Sequence, residues 1–220
     1  NMYMGTGADF FKPGTAEVSI NNEHGIATLN MMKALTEHSN PDFLTFNSDA
    51  TAALWEAGDL ALATMWGSRA GPILDSEGST EAITSTTVVA SAPSFAGGSR
   101  PSSTLWWDGF AIASNVSDMD AEASFIAMMN GISSEMVKAN NDLTVWLIDG
   151  YKAGPTAVGV SETAANGAAP YPMLPFMGTL HGAAGAELTD FLQGNESAEQ
   201  ALSDIEAAYT AAAIEKGFLN

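Results

Sequence analysis

The chain has 220 residues, 46% of them hydrophobic and 9% aromatic, which excludes a disordered polymer and leaves room for one large domain or two small ones. Lys and Arg number 7 against 26 Asp and Glu, a formal net charge of −19, so the basic surface that nucleic acids or anionic membranes demand is missing. Cysteine is absent, which excludes disulfide scaffolds, thiolate zinc sites and cysteine nucleophiles.

The acidity reads as a solubility device. The opening NMYMG lacks the basic and apolar regions of a signal peptide, and the chain reads as beginning inside a larger protein. No stretch reaches the ~18 consecutive apolar residues of a membrane span.

In chain order, residues 16–20 read as a short strand. A helix is predicted over 22–38, capped by Asn22, with Ile26, Leu29, Met32 and Leu35 as an apolar stripe at helical spacing. Pro41 closes it by pushing Asn40 out of the α region. The run NSDATAALWEAGDLALATMWGSR at 47–69 predicts a helix capped by Ser48, a turn at Gly58, and a strand over 60–65. That strand is nearly all apolar, as expected when both faces are covered. Trp66, Gly67 and Arg69 follow at its carboxyl end, where open α/β sheets bind ligands, with no nucleophile or metal cluster beside them. The pattern favours binding over catalysis.

Residues 75–85 read as a polar loop, 86–90 as a β-branched strand, and 93–103 as a Gly-, Ser- and Pro-rich surface loop. Residues 110–113 read as a buried strand. Ser117 caps a helix through 130 with Ala121, Phe125, Met128 and Met129 on its core side, and Ser133 opens a shorter helix. Residues 153–186, dominated by Gly, Ala, Pro and Thr, are expected to be irregular. The last helix opens on the capping box SAEQ at 197–200, buries Leu202, Ile205, Ala208, Tyr209 and Ala212, and stops at Gly217. Helices alternating with short apolar strands indicate an α/β fold.

Three blocks then stand in a suggestive order. INNEHGIATLNMMKAL at 20–35 precedes LWEAGDLALATMW at 54–66, DGFAIASNVSDMDAEASFI occupies 108–126, and NESAEQAL occupies 195–202. Together they resemble the extracellular solute-binding proteins of ABC transporters, family 1, the maltose-binding-like sugar binders. The resemblance implies an α/β fold of the periplasmic binding protein-like type II, represented by its C-terminal portion: most of lobe 2 plus a crossing segment of lobe 1. Residues 1–85 would form the first part of lobe 2, 86–150 the crossing segment in lobe 1, and 151–220 the second part of lobe 2. Members of the family carry a preceding segment that builds most of lobe 1, and nothing here is similar to it. A fragment is therefore expected, or a chain whose self-association covers the incomplete lobe. The implied function is capture of a carbohydrate or polyol in an interlobe cleft by hinge closure, for delivery to an ABC permease in the membrane. The implied setting is periplasmic or extracellular and membrane-associated, with no cofactor and no metal.

By the resemblance, Trp66 is the sugar-stacking aromatic; its alternative is a core indole. Gly67 offers a backbone N–H. Arg69 suits a hydroxyl pair or carboxylate, and equally a surface salt bridge. Of Trp106 and Trp107, one should face ligand and the other pack inward, since neighbours on a strand alternate. Asp108 would accept hydroxyl hydrogen bonds, or else bond its own turn. His181 falls where relatives carry a cleft aromatic, with Tyr171 and Phe176 in the same loop, whereas His24 and His38 read as solvated. Two other functions compete. A glycoside hydrolase would pair Asp108 with Glu56 or Asp59, although these flank a turn at the far end of the predicted strand from Trp66. A non-binding oligomerisation fragment would bury Trp66 and Trp107.

Overall fold

A computed structural model describes residues 1–95 and 97–220; Ala96, in the predicted 93–103 loop, lies outside the described residues. The α-helices are α1 (Met2–Gly5), α2 (Glu23–Thr36), α3 (Ser48–Glu56), α4 (Ala70–Ile73), α5 (Glu81–Thr86), α6 (Asp118–Gly131), α7 (Ser134–Ala139), α8 (Val158–Ala165), α9 (Met177–Gln193) and α10 (Ala198–Glu215). Two short strands, β1 (Thr104–Leu105) and β2 (Ala169–Pro170), pair in parallel with Thr104 opposite Ala169 and Leu105 opposite Pro170. The parallel pair is joined through intervening helices, as α/β chains require. The chain divides into two compact units, one formed by Asn1–Phe46, Pro93–Leu105 and Asn166–Asn220, the other by Asn47–Ala92 and Trp106–Ala165.

The first unit is built on α2, α9 and α10, which pack together. Asn22 caps α2 as expected, its side chain accepting from the amides of His24 and Gly25 at 2.8 and 3.1 Å. Leu29 is buried and Ile26 and Met32 pack on the core, but Leu35 is exposed. From α10, Leu202, Ile205 and Tyr209 are buried, and the Tyr209 hydroxyl donates to the Ala16 carbonyl at 2.6 Å. One Glu206 carboxylate oxygen accepts from the amides of Ile20 and Asn21, both at 2.9 Å, tying α10 to the approach to α2. Residues 16–20 form only a single antiparallel bridge, Phe11 to Val18, rather than a strand. The SAEQ box is half made. Ser197 Oγ accepts from the Gln200 amide at 3.2 Å, but the Gln200 side chain turns forward to both Asp204 oxygens.

Residues 153–186 are more ordered than their composition suggests, since α8, β2 and the start of α9 lie there. Alanine is a strong helix former, and Gly178, Gly182 and Gly185 recur on one open face of α9, away from buried Met177, Thr179 and Leu180.

The second unit departs furthest from expectation. Asn47, not Ser48, caps α3, accepting from the amides of Asp49 and Ala50 at 3.1 and 2.9 Å. Gly58 makes the expected turn at φ +80°. Residues 60–65 are not a buried strand: they pair with no strand among the described residues, and Leu62 is 90% exposed. The predicted strand at 86–90 is replaced by the end of α5, which also takes up part of the expected 75–85 loop, and by an irregular stretch with Val88 83% exposed. Residues 110–113 are likewise irregular, and Phe110 is 71% exposed. Helix α6 forms where predicted, Ser117 Oγ accepting from the Asp120 amide at 3.2 Å, yet none of its residues is buried. An apolar run states that a segment needs cover; it does not supply the neighbours that give it. What this unit does bury is small: the side chains of Ile73, Val137 and Ala157, Ser79 donating to the Ile73 carbonyl, and Thr163 bridging the Gly159 carbonyl and the Ala92 amide.

Candidate functional site

Trp66 ends the irregular 60–66 segment and begins a single 3-10 turn, Gly67–Arg69, whose Arg69 amide donates to the Trp66 carbonyl at 2.9 Å. Two elements hold this turn. Arg69 Nη1 meets Asp49 Oδ1 at 2.6 Å and Nη2 donates to Ser48 Oγ at 3.1 Å, which anchors the turn to the first residues of α3. Asp49 suits that place, because a carboxylate in a helix's first turn is favoured by the free N–H groups. On the other side α8 comes so close that a Cβ on Gly67 would stand 2.8 Å from Val160 Cβ. Glycine is therefore required by the packing, whatever its amide does.

The Trp66 ring meets Trp106 edge to face, with centroids 5.6 Å apart and planes at 89°. Both indoles stay open to solvent, Trp66 52% and Trp106 44% exposed. Trp107 does not pack inward as alternation predicts. It is exposed and folds over its own chain, its Cζ3 lying 2.9 Å from the place of a Cβ on Gly109. Among the described residues no strand pairs with 106–113, so there is no sheet face for the second indole to enter. Asp108 is exposed between Trp107 and Gly109. The burial of Trp66 and Trp107 that an oligomerisation fragment requires is not found.

His181 belongs to the first unit, on α9, where its Nδ1 lies 3.3 Å from Tyr171 Oη. The Tyr171 amide donates to the Leu105 carbonyl at 2.9 Å, and partial burial pushes its phenol above the ordinary tyrosine range. Phe176, its neighbour in the sequence argument, goes elsewhere: its ring packs on Phe11 and Phe218 in the core. The structure thus brings Trp66, Gly67, Arg69 and Trp106 together, with Trp107 and Asp108 following in the chain, and gives His181 a separate partner. Sequence reasoning missed Ser48, Asp49 and Val160 as supports. The signal for the first two was there: Asn47 is as good a cap as Ser48, and frees it for Arg69.

Glu56 lies against Gly78, its Oε1 2.8 Å from the place of a Cβ there. Among the described residues no group of three or more His, Cys, Asp or Glu could hold a metal ion, and no helix is long and apolar enough to cross a membrane.

No family model and no curated protein matches the sequence. Among solved structures, maltose-bound MalE3 of T. maritima superposes with a TM-score of 0.76 at 17% identity, over 96% of this chain and 56% of that one. The fold is that of a periplasmic binding protein-like fragment. It is α/β, with a small parallel sheet among many helices, as the resemblance implied. The chain spans a little over half the length of MalE3.

Proposed function

We propose that this chain carries part of the binding site of a carbohydrate or polyol receptor, the solute-binding component of an ABC importer working in the periplasm or at the cell exterior. The observation that carries this reading is the pair of open, perpendicular indoles on a turn braced from both sides. Sugars present CH faces to aromatic rings and hydroxyl rims to polar groups. Trp66 and Trp106 supply the rings. Asp108 is the hydroxyl acceptor, the Gly67 amide a donor, and Trp107 a further apolar wall. Arg69, committed to Asp49 and Ser48, acts by fixing the turn. His181 on α9, paired with Tyr171, is kept as a separate candidate for ligand contact. The charge of −19 disfavours anionic solutes. Delivery to a permease, hinge closure and the division into lobes at 1–85, 86–150 and 151–220 belong to the same proposal.

The test is a titration with maltose, other neutral oligosaccharides and polyols, followed by tryptophan fluorescence and by melting temperature. A binding sugar is expected, and Trp66→Ala should weaken it tenfold or more, about 1.4 kcal/mol, while leaving the melt of the free chain in place. If no neutral solute shifts the melt of the chain, the proposal fails. Turnover of glycosides that disappears in Asp108→Asn would instead make the chain a hydrolase.

A further inference from the structure

The dipeptide Asn-Gly occurs twice in the chain, as Asn130 with Gly131 and as Asn166 with Gly167, and the fold treats the two differently. An asparagine followed by glycine is open to attack by its own main chain, because glycine puts no Cβ in the way of the approaching nitrogen. Asn130 and Gly131 both lie inside α6, and Asn130 Nδ2 donates to the Ile126 carbonyl at 2.8 Å. A helical ψ of about −42° aims the next amide along the helix axis, away from the side chain, and commits its N–H to the preceding turn. Asn166 and Gly167 instead form the exposed turn between α8 and β2. Gly167 takes φ +85°, outside the helical region, and no atom of another residue stands within 4 Å of the place of a Cβ on it. The same place on Gly131 is equally open, so backbone conformation is what separates the two pairs.

We infer that Asn166 is a site of spontaneous deamidation in the folded chain, and that α6 protects Asn130 from the same reaction. The Gly167 amide nitrogen attacks Asn166 Cγ. The N–Cγ bond forms, the Cγ–Nδ2 bond breaks, and ammonia leaves with the proton lost from the Gly167 N–H. Water then opens the succinimide ring, at Cγ to give aspartate or at the main-chain carbonyl carbon to give isoaspartate. No reactant beyond water is needed. Either product adds a negative charge to the turn. Isoaspartate also routes the main chain through Cβ and Cγ, one atom longer, just ahead of buried Ala168 and of β2. There Ala169 pairs with Thr104, and the Tyr171 amide donates to the Leu105 carbonyl at 2.9 Å. The longer approach displaces that pairing, whereas aspartate leaves the main chain as it was. This inference is independent of the ligand.

The test holds the purified chain in warm, mildly alkaline buffer and maps its peptides by mass spectrometry at intervals. The peptide containing Asn166 is expected to gain the mass of an NH-to-O replacement at least tenfold faster than the peptide containing Asn130. In urea the two should react at similar rates, since the fold and not the dipeptide makes the difference. Asn166→Gln should remove the fast event. The fraction enriched in isoaspartate, resolved by anion exchange, should lose protection of the Tyr171 amide from hydrogen exchange, whereas Asn166→Asp should keep it. Equal rates at the two asparagines in the folded chain, or a slower rate at Asn166, would overturn the site. An isoaspartate form with the Tyr171 amide still protected would overturn its effect on β2.

Discussion

Helices α6 and α10 invite direct comparison. Both are capped by a serine whose hydroxyl accepts the amide three residues on, Ser117 from Asp120 and Ser197 from Gln200. Both carry apolar residues at helical spacing. Yet α10 buries Ala198, Ala201, Leu202, Ile205, Tyr209 and Ala213, and α6 buries nothing. The same contrast holds between the units they belong to. The first unit gathers residues from both ends of the chain around one core, while the second buries few apolar side chains beyond Ile73, Val137 and Ala157. Local signals specify a helix equally well in both; only long-range partners decide whether it becomes part of a core.

The sharpest way to break the comparison is to remove side chains of similar character from each unit. Tyr209→Ala, at a fully buried ring, should destabilise the chain by about 3–5 kcal/mol in urea unfolding, whereas Leu62→Ser should change stability by no more than about 0.5 kcal/mol. Equal losses would show that the second unit has a core after all. A smaller effect separates the two caps. Ser197→Ala should lower the global unfolding free energy by about 1 kcal/mol. Ser117→Ala should instead lower helix content with little change in the unfolding midpoint, because α6 frays without disturbing a core. Smallest is the pH response of α10. Its Glu199 carboxylate is held below the ordinary carboxylate range, first by its own backbone amide and then by the Ser197 hydroxyl. A carboxylate with a depressed folded pKa stabilises above its unfolded value and loses that contribution as pH falls through the folded one. Glu199→Gln should therefore lie below the parent at neutral pH and close on it under acid, read from unfolding curves at both.

How far the sequence could be read follows the same line. The caps at Asn22, Ser117, Ser133 and Ser197 and the turn at Gly58 were legible, since each is settled within a few residues. The buried faces of α2 and α10 were legible in their main anchors, Leu29, Leu202, Ile205 and Tyr209, but not at Leu35, which is exposed, or at Ala208 and Ala212, which are only half-buried. Helix α9 was not, because its glycines at 178, 182 and 185 suggested a loop and only their common open face shows why a helix tolerates them. The apolar runs at 60–65 and 110–113 read as covered strands and are irregular instead, for apolarity reports a need for cover and not the neighbours that give it. At the candidate site, Trp66 and Trp106 were both named, but not that their rings would meet. Nothing in the spacing announces that Arg69 reaches back to Asp49, twenty residues earlier in the chain.

The division of the chain bears on its synthesis. The core of the first unit depends on contacts such as Tyr209 with Ala16 and Glu206 with Ile20, separated by 193 and 186 residues. Every residue of the second unit lies between those partners in the chain. A ribosome adding about 5–20 residues per second must therefore finish all of the second unit before the first can close. For that interval the nascent chain carries Leu29 and Phe11 without their helix, along with the open apolar stretches downstream. Its folding is thus timed by the emergence of α10, and a chaperone that holds extended apolar segments would act upstream of that event.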